Sequence, residues 1–232
     1  AKVFASAARW LNQGIVDAVL VGGVDSLCMS ILYGFNSLEL VSTEQCRPFD
    51  RRRDGINIGE AAGFAILARE DVLPDARLAL LGYGESSDAY HMAHPHPEGK
   101  GAVMAIDQAL ARAGLKAEDI DYINLHGTAT PANDKIESRV LKQRFDGNTL
   151  ASSSKAWTGH ALGAAGILES VVALEALSNG IVPGTLNCEE RDPDIEFDVV
   201  TENTERPIRV AASNSFGFGG NNATLLFGRR DA

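Results

Sequence analysis

Residues 152–166 read SSSKAWTGHALGAAG and lead directly into a run that is almost entirely apolar. The only charged side chains in the run 162–178 belong to two glutamates. A helix that is apolar nearly all round is normally buried inside a domain. The stretch therefore predicts a buried core helix, with Lys155 and His160 at its N-terminal end.

The start of this helix has two possible roles. Free backbone N–H groups and the positive end of the helix dipole favour an anion there. The small residues between Gly163 and Gly166 would let a ligand or another backbone approach closely. The alternative is a glycine-rich turn that caps a core helix and leaves Lys155 in solvent, and the stretch alone leaves both interpretations open.

Composition narrows the class of protein. A chain of 232 residues is long enough for one large domain or two small ones. Its net charge of -10 argues against nucleic acid and against an anionic membrane surface as partners. The three cysteines show no paired spacing, which is typical of a reducing compartment and predicts a cytoplasmic location. We expect no membrane-spanning segment and no signal peptide.

Strands and helices alternate along the chain. Apolar runs predict strands at 18–23, 63–67, 78–82, 122–125, 210–213 and 223–227. Helical spacing of apolar residues predicts helices at 1–13, 30–40, 102–114, 134–145 and 162–178. This alternation predicts a layered α/β fold.

Two short patterns recur in the same order. LNQGIV at 11–16 and LSNGIV at 177–182 each end a predicted helix, and 58–69 and 218–229 each lead from glycine into an apolar strand. The recurrence predicts a duplicated unit in which helix 1–13 is the counterpart of the helix after His160.

Four blocks, in order along the whole chain, carry a family resemblance. They are RPFD with RDG (47–55), HGTATP (126–131), KAWTGHALGAAG (155–166) and NSFGFGG (214–220). Together they resemble the C-terminal part of a β-ketoacyl-acyl-carrier-protein synthase of the two-histidine, elongating type. The resemblance implies a layered α-β-α-β-α thiolase-like fold, with an incomplete N-terminal half at 1–85 and a complete C-terminal half at 86–232.

The resemblance implies an acyltransferase that performs a decarboxylating Claisen condensation. An acyl chain is joined to malonyl-acyl-carrier protein, in fatty acid or related polyketide or polyene synthesis. Negative charge develops on the thioester oxygen, and hydrogen-bond donors aimed at that oxygen lower the barrier. By resemblance His126 and His160 are the donors, since a neutral imidazole keeps a proton to donate. Lys155 lies near the second histidine, with Glu169 as its expected partner in the catalytic set.

Substrate-binding residues follow from the same resemblance. Thr128 and Thr130 would hold the phosphopantetheine arm of the carrier, although turn formation is an alternative role. Phe218 and Gly219 match the family's gating loop, and the Phe218 N–H is expected to complete the oxyanion hole. Phe216 is assigned to the same site, with a place in the core as its alternative.

Two further polar clusters have possible roles. Arg51, Arg52 and Arg53 form a basic run. Arg51 and Arg52 would dock the acidic carrier protein, with a solvated loop as the alternative, and Arg53 has a structural role as its alternative. His91, His94 and His96 are residues of a type that binds zinc, but prolines break this loop and we expect no metal. We also expect no resident cofactor, because the phosphopantetheine arm arrives on the carrier.

The family's nucleophilic cysteine precedes a helix that resembles the opening of this chain. Cys28 lies beyond that helix and the first strand, so we expect the nucleophile upstream of Ala1. We expect a homodimer, or a heterodimer with a homologous synthase-like subunit. The alternative function is a non-catalytic partner, like the chain-length factors that pair with a synthase; the retained histidines favour the enzyme.

Overall fold

A computed structural model describes residues 1–145 and 147–230 of the chain. Helices α1 to α6 span Lys2–Asn12, Met29–Ser37, Lys100–Ala113, Pro131–Arg144, Lys155–Thr158 and Ala165–Asn179. Strands β1 to β9 span Ala18–Asp25, Ala61–Ala68, Leu78–Ser87, Tyr122–Asn124, Leu150–Ser152, Ile181–Val182, Thr204–Glu205, Val210–Gly217 and Asn221–Arg229. Every helix and strand predicted from the sequence is present, with shifted ends; α5 and β5 to β7 were not predicted.

The main sheet has five strands in the order β3-β9-β8-β4-β5. Strand β4 runs parallel to both β5 and β8, whereas β9 is antiparallel to β3 and β8. The carboxyl ends of β4 and β5 therefore point to the same edge of the sheet. His126 follows β4 and Lys155 follows β5, so this edge brings the two residues together.

A second sheet consists of β1 and β2, paired antiparallel from Ala18 opposite Ala68 to Asp25 opposite Ala61. Helix α6 packs between the two sheets and contacts β1, β2 and β8. Its Ile167 fits against glycine, because a Cβ added at Gly63 would lie 3.1 Å from the Ile167 Cγ1. The buried apolar run predicted from the sequence is thus the middle layer of the fold.

Helices α3 and α4 cover the opposite face of the five-stranded sheet. Their Ile106, Leu110, Val140 and Leu141 pack with Leu226 of the sheet in one buried cluster. The layers run α3–α4, five-stranded sheet, α1–α6, β1–β2, which confirms the layered α/β class.

One sequence-based expectation concerned membrane spans. The segment Leu162–Asn179 has 18 residues and a mean hydropathy of 1.2, which is long and apolar enough to cross a membrane. By length and composition alone, one segment therefore departs from the expectation that the chain has no membrane-spanning segment. Half of the segment is buried, and its contacts with both sheets are those of a core helix.

The division into halves at residue 85 stays a prediction. Strand β3 begins before residue 85, ends after it and pairs with β9, so the strand lies with the C-terminal half. Residues 146, 231 and 232, which fall in the predicted half 86–232, lie outside the described residues.

Candidate active site

Lys155 is the first residue of α5, and its side chain is 1% exposed. Its Nζ donates to the backbone oxygen of His126 and to Oε1 of Glu169. Glu169, on α6, is the partner expected for this lysine. The ammonium also lies 3.4 Å from Nδ1 of His126. Because an ammonium can only donate, this contact makes Nδ1 the acceptor and places the ring proton on Nε2.

The peptide of His126 is fixed by a carboxylate that the sequence analysis did not single out. Glu137 on α4 accepts the His126 N–H at 2.9 Å and the Gly127 N–H at 2.8 Å, one on each carboxylate oxygen. Its neighbour on the helix, Asp134, accepts the Ala129 N–H at 3.2 Å. Both acids are buried, so the first turns of α4 hold the loop that carries the histidine.

The helical spacing of Asp134 and Glu137 could have identified them as buried acids. Asp134 and Glu137 are three residues apart on α4 and share its buried face with Ser138, Val140 and Leu141. Acidic residues at positions where helical spacing predicts the core need buried hydrogen-bond partners. The loop after β4 supplies those partners.

His160 is placed by a strand-like contact with the segment before β2. Its N–H donates to the Asn57 oxygen at 2.7 Å, and its own oxygen accepts the Gly59 N–H at 3.1 Å. A Cβ added at Gly59 would lie 2.3 Å from the Thr158 oxygen, so this close approach requires glycine.

The two imidazoles meet in one cavity of about 550 Å³. Their ring centroids are 5.6 Å apart and the rings are inclined at 82°. Burial, and then the charges of Lys155 and His160, hold the pKa of His126 well below its ordinary value. Burial, followed by the charge of Lys155, lowers the pKa of His160 to about 3. Both rings are therefore neutral near pH 7 and each has one N–H to donate.

Burial shifts the pKa values of the buried carboxylates in the opposite direction, upwards. Burial raises the pKa of Glu137 to about 7, although its two backbone hydrogen bonds work against the shift. Burial also raises the pKa of Glu169, opposed by the charge and hydrogen bond of Lys155.

The predicted substrate-binding residues line the same cavity, apart from Gly219. The hydroxyl groups of Thr128 and Thr130 lie 2.9 Å apart. The ring of Phe216 is 6.1 Å from that of His126. Phe218 is 46% exposed and stacks on Phe35 at 5.7 Å, so it lies at the opening rather than in the core.

Arg51 and Arg52 lie away from the cavity lining. Arg51 pairs with Glu190, and Arg52 pairs with Glu189 at 2.7 Å and with Asp50 at 3.2 Å. Both arginines are about half exposed, but each is already paired with an acid of the same chain. Their role in carrier docking stays a prediction.

The histidine-rich loop is arranged by ring contacts. His91 and His94 stack with centroids 4.6 Å apart, and His96 lies 5.2 Å from the ring of Tyr90. Within residues 1–145 and 147–230, no three His, Cys, Asp or Glu side chains are grouped to hold a metal ion.

Comparison with known proteins matches the chain to two domains that belong to one protein family. Residues 1–72 match the N-terminal domain of β-ketoacyl synthases, and residues 78–189 match their C-terminal domain. The chain belongs to the β-ketoacyl synthase family.

Individual relatives agree with this assignment. A mitochondrial 3-oxoacyl-[acyl-carrier-protein] synthase of Arabidopsis thaliana is 41% identical over 95% of this chain and 52% of its own length. The chain thus spans about half the length of the curated relatives it matches. A ketosynthase solved with its chain length factor from Xenorhabdus doucetiae is 44% identical, with a TM-score of 0.92 over 98% of this chain and 57% of that one. A type II polyketide ketosynthase solved with its acyl-carrier protein is 29% identical, with a TM-score of 0.93 over 98% of this chain and 60% of that one.

Proposed function

We propose that this chain forms the decarboxylation and condensation site of a β-ketoacyl-acyl-carrier-protein synthase, an acyltransferase. The observation that carries the proposal is the pair of neutral imidazoles, His126 and His160, whose rings meet in one cavity at 5.6 Å. Two N–H donors that face one cavity can share one developing oxyanion. The substrates are an acyl chain and malonyl-acyl-carrier protein, which extends that chain by two carbons in fatty acid, polyketide or polyene synthesis.

The proposed reaction places negative charge where the two histidines can donate hydrogen bonds. When the malonyl thioester loses carbon dioxide, the electron pair of the broken C–C bond moves into an enolate. Negative charge then appears on the thioester oxygen, where His126 and His160 donate hydrogen bonds. The enolate carbon attacks the carbonyl carbon of an acyl thioester, a new C–C bond forms and a thiolate leaves.

Lys155 acts through its neighbours rather than on the substrate. Its ammonium is held by Glu169 and by the His126 oxygen, so it is occupied as a donor. The fixed positive charge next to both rings opposes their protonation. Lys155 therefore adds to the effect of burial in keeping the two histidines neutral.

The nucleophile is a cysteine upstream of Ala1 in this proposal. Ala1 lines the same cavity as the two histidines, at the start of α1. A residue directly upstream of Ala1 would therefore lie close to this cavity. The thioester on this cysteine is the acyl group that the enolate attacks.

The partners follow from the substrate and the relatives. The acyl-carrier protein delivers both substrates on its phosphopantetheine arm, so the site needs no resident cofactor. Thr128 and Thr130 face the cavity with paired hydroxyl groups suited to the amides of that arm. We further propose assembly into a dimer, either with a second copy or with a homologous subunit, as in the ketosynthase solved with its chain length factor.

Carrier docking through Arg51 and Arg52 is tested separately. Reversing both charges, Arg51→Glu with Arg52→Glu, should weaken carrier binding at low salt and flatten its salt dependence. Because Glu189 and Glu190 already pair with these arginines, the matched variant Glu189→Gln with Glu190→Gln should strengthen binding. Unchanged affinity in both variants would show that the carrier docks elsewhere.

The proposed function is tested by reconstitution. Full-length protein is incubated with an acyl carrier and malonyl carrier protein, and the products are followed by mass spectrometry. We expect a β-ketoacyl thioester longer by two carbons, with one carbon dioxide released for each product. A protein that makes no product alone, but supports an added synthase even after His126→Ala, would instead be a non-catalytic partner.

A further inference from the structure

The turn that carries Phe218 lies between the two long antiparallel strands of the main sheet. Strand β8 ends at Gly217, β9 begins at Asn221, and Gly219 in the turn has a positive φ of 73°. Phe218 itself is 46% exposed and stacks on Phe35 of α2. Such a turn is free to move unless other elements hold it.

One side of the turn is attached to the loop that follows β3. The Gly219 N–H donates to the Met92 oxygen at 2.7 Å, and the Asp88 N–H donates to the Gly220 oxygen at 2.9 Å. On this side the turn is thus attached to a loop, whose Asp88 also accepts from the amide nitrogen of Asn222 in β9 at 2.8 Å.

The other side is attached to a helix. The Lys2 ammonium, in the first turn of α1, donates to Oδ1 of Asn221 at 2.9 Å. The amide nitrogen of the same Asn221 side chain donates to the Phe218 oxygen at 3.2 Å. One amide group thus spans the turn and joins it to α1, using its acceptor for the lysine and its donor for the backbone.

We propose that Lys2 and Asn221 are positioning residues that hold the Phe218 turn against α1 at the mouth of the cavity. Both side chains line the cavity together with Phe218, His126 and His160. The bond is charge-assisted, which makes it stronger than a contact between neutral groups. Because α1 is packed between the sheets through Phe4 and Ala7, it is the rigid side of this link.

The consequence for turnover rests on the proposed function. With the link in place, the Phe218 ring stays over Phe35 at the mouth of the cavity. Without it, the turn is still held by the loop 88–94, by the stack of Phe218 on Phe35 and by the Asn222 amide at the Gly220 oxygen. It is no longer joined to α1, so the cavity opening is less firmly fixed. Substrate positioning then suffers although both imidazoles remain in place.

Amide hydrogen exchange of the full-length protein tests the link without any need for activity. We expect Lys2→Met to speed exchange at residues 218–221 about tenfold, which is the usual effect of losing one charge-assisted hydrogen bond. Lys2→Arg, which keeps a cationic donor, should stay near the wild-type rate. The matched control is Lys142→Met, an exposed lysine on α4, which should leave the turn unchanged.

Two results distinguish a link from general loosening. Exchange in α6 should change far less than exchange at the turn in Lys2→Met, and the thermal midpoint should fall by only the few degrees that the loss of one bond accounts for. The variant Asn221→Leu should speed exchange at the turn, and adding Lys2→Met to it should change nothing more, because the two residues form one bond. Additive effects, or an unchanged turn in Lys2→Met, would overturn the proposal.

Activity gives an independent measurement. In the reconstituted reaction we expect Lys2→Met to lower the rate of condensation about tenfold, and Lys2→Arg to restore most of it. A wild-type protein that forms no product would refute the proposed function, whereas the link would still be decided by exchange at the turn.

Discussion

At His126 and His160, burial and the ammonium of Lys155 both lower the pKa of the imidazole. The same ammonium is neutralised by Glu169, which is 2% exposed. A buried cation without a partner would be costly, and breaking such a pair typically destabilises a protein by about 3–5 kcal/mol. The four side chains are thus one unit, in which burial, assisted by the charge of Lys155, keeps the two donors neutral.

Glu137 gives a residue-scale prediction. In Glu137→Gln one of the two carboxylate oxygens becomes an N–H donor, which faces the N–H of His126 or Gly127. A buried donor left without an acceptor costs about 1–3 kcal/mol, so the free energy of unfolding should fall by that amount. Denaturant unfolding measures it, with Glu175→Gln at the exposed end of α6 as the control. Equal stability of the two variants would show that the carboxylate does not hold the loop.

The pH dependence of stability gives a second prediction at this scale. The pKa of His160 is lowered from 6.5 to about 3, so below pH 6.5 the unfolded chain binds a proton that the folded chain does not. Stability from this residue is present above pH 6.5 and is lost as the pH falls towards about 3.

The raised pKa of Glu137 changes the pH dependence of stability in the opposite direction. Its pKa is raised from 4.5 to about 7, so the folded chain holds the extra proton between these values and stability falls as the pH rises. The contribution of His160 is therefore read from the difference between wild type and His160→Asn, in unfolding experiments from pH 7 to pH 4. The wild type should lose more stability on acidification than the variant; parallel curves would contradict the assigned pKa.

At the scale of elements, the site depends on close approach between segments that are far apart in sequence. Gly59 lies against Thr158 and Gly159, and its N–H pairs with the oxygen of His160. The segment before β2 thus fixes the backbone of the second histidine. The first histidine is fixed by α4, so each donor has its own supporting element.

Gly59→Ala tests this support. The added Cβ would lie 2.3 Å from the Thr158 oxygen, so the backbone must move and carry His160 with it. We expect a loss of stability of about 1–3 kcal/mol, as for other overpacked sites, together with slower decarboxylation. The control Gly147→Ala adds its Cβ where no atom lies within 4 Å. Unchanged decarboxylation in Gly59→Ala would show that this contact does not position the ring.

The sequence predicted the helices and strands that have strong local patterns. It missed strands, or parts of strands, that are defined only by hydrogen bonding to a neighbouring strand. Helix α6 was evident from its apolar run. Strand β8 was predicted to end at residue 213, but it continues to Gly217 because its polar residues pair inside the sheet, as in the 2.9 Å bond from Thr224 to Asn214. Strand β5 is three residues long and ends in serine, so only its register with β4 defines it.

At the scale of the whole molecule, the cavity lies where the two parts of the chain meet. Ala1 and Phe35 come from the N-terminal part, whereas His126, His160 and Phe218 come from the C-terminal part. The family resemblance predicted this set of residues, while their convergence depends on the packing of α6 between the sheets. The net charge of -10 could not have revealed the site, because it is a total over all charged residues and does not show where any one lysine lies.

The central claim is that His126 and His160 donate to one developing oxyanion, and carbon dioxide release from malonyl carrier protein without an acyl primer tests it most directly. We expect His126→Ala and His160→Ala each to slow release by about 10²–10³, the usual effect of removing one such donor. His96→Ala, whose ring lies outside the cavity lining, should release carbon dioxide at the wild-type rate. Wild-type release from either cavity variant would contradict the account.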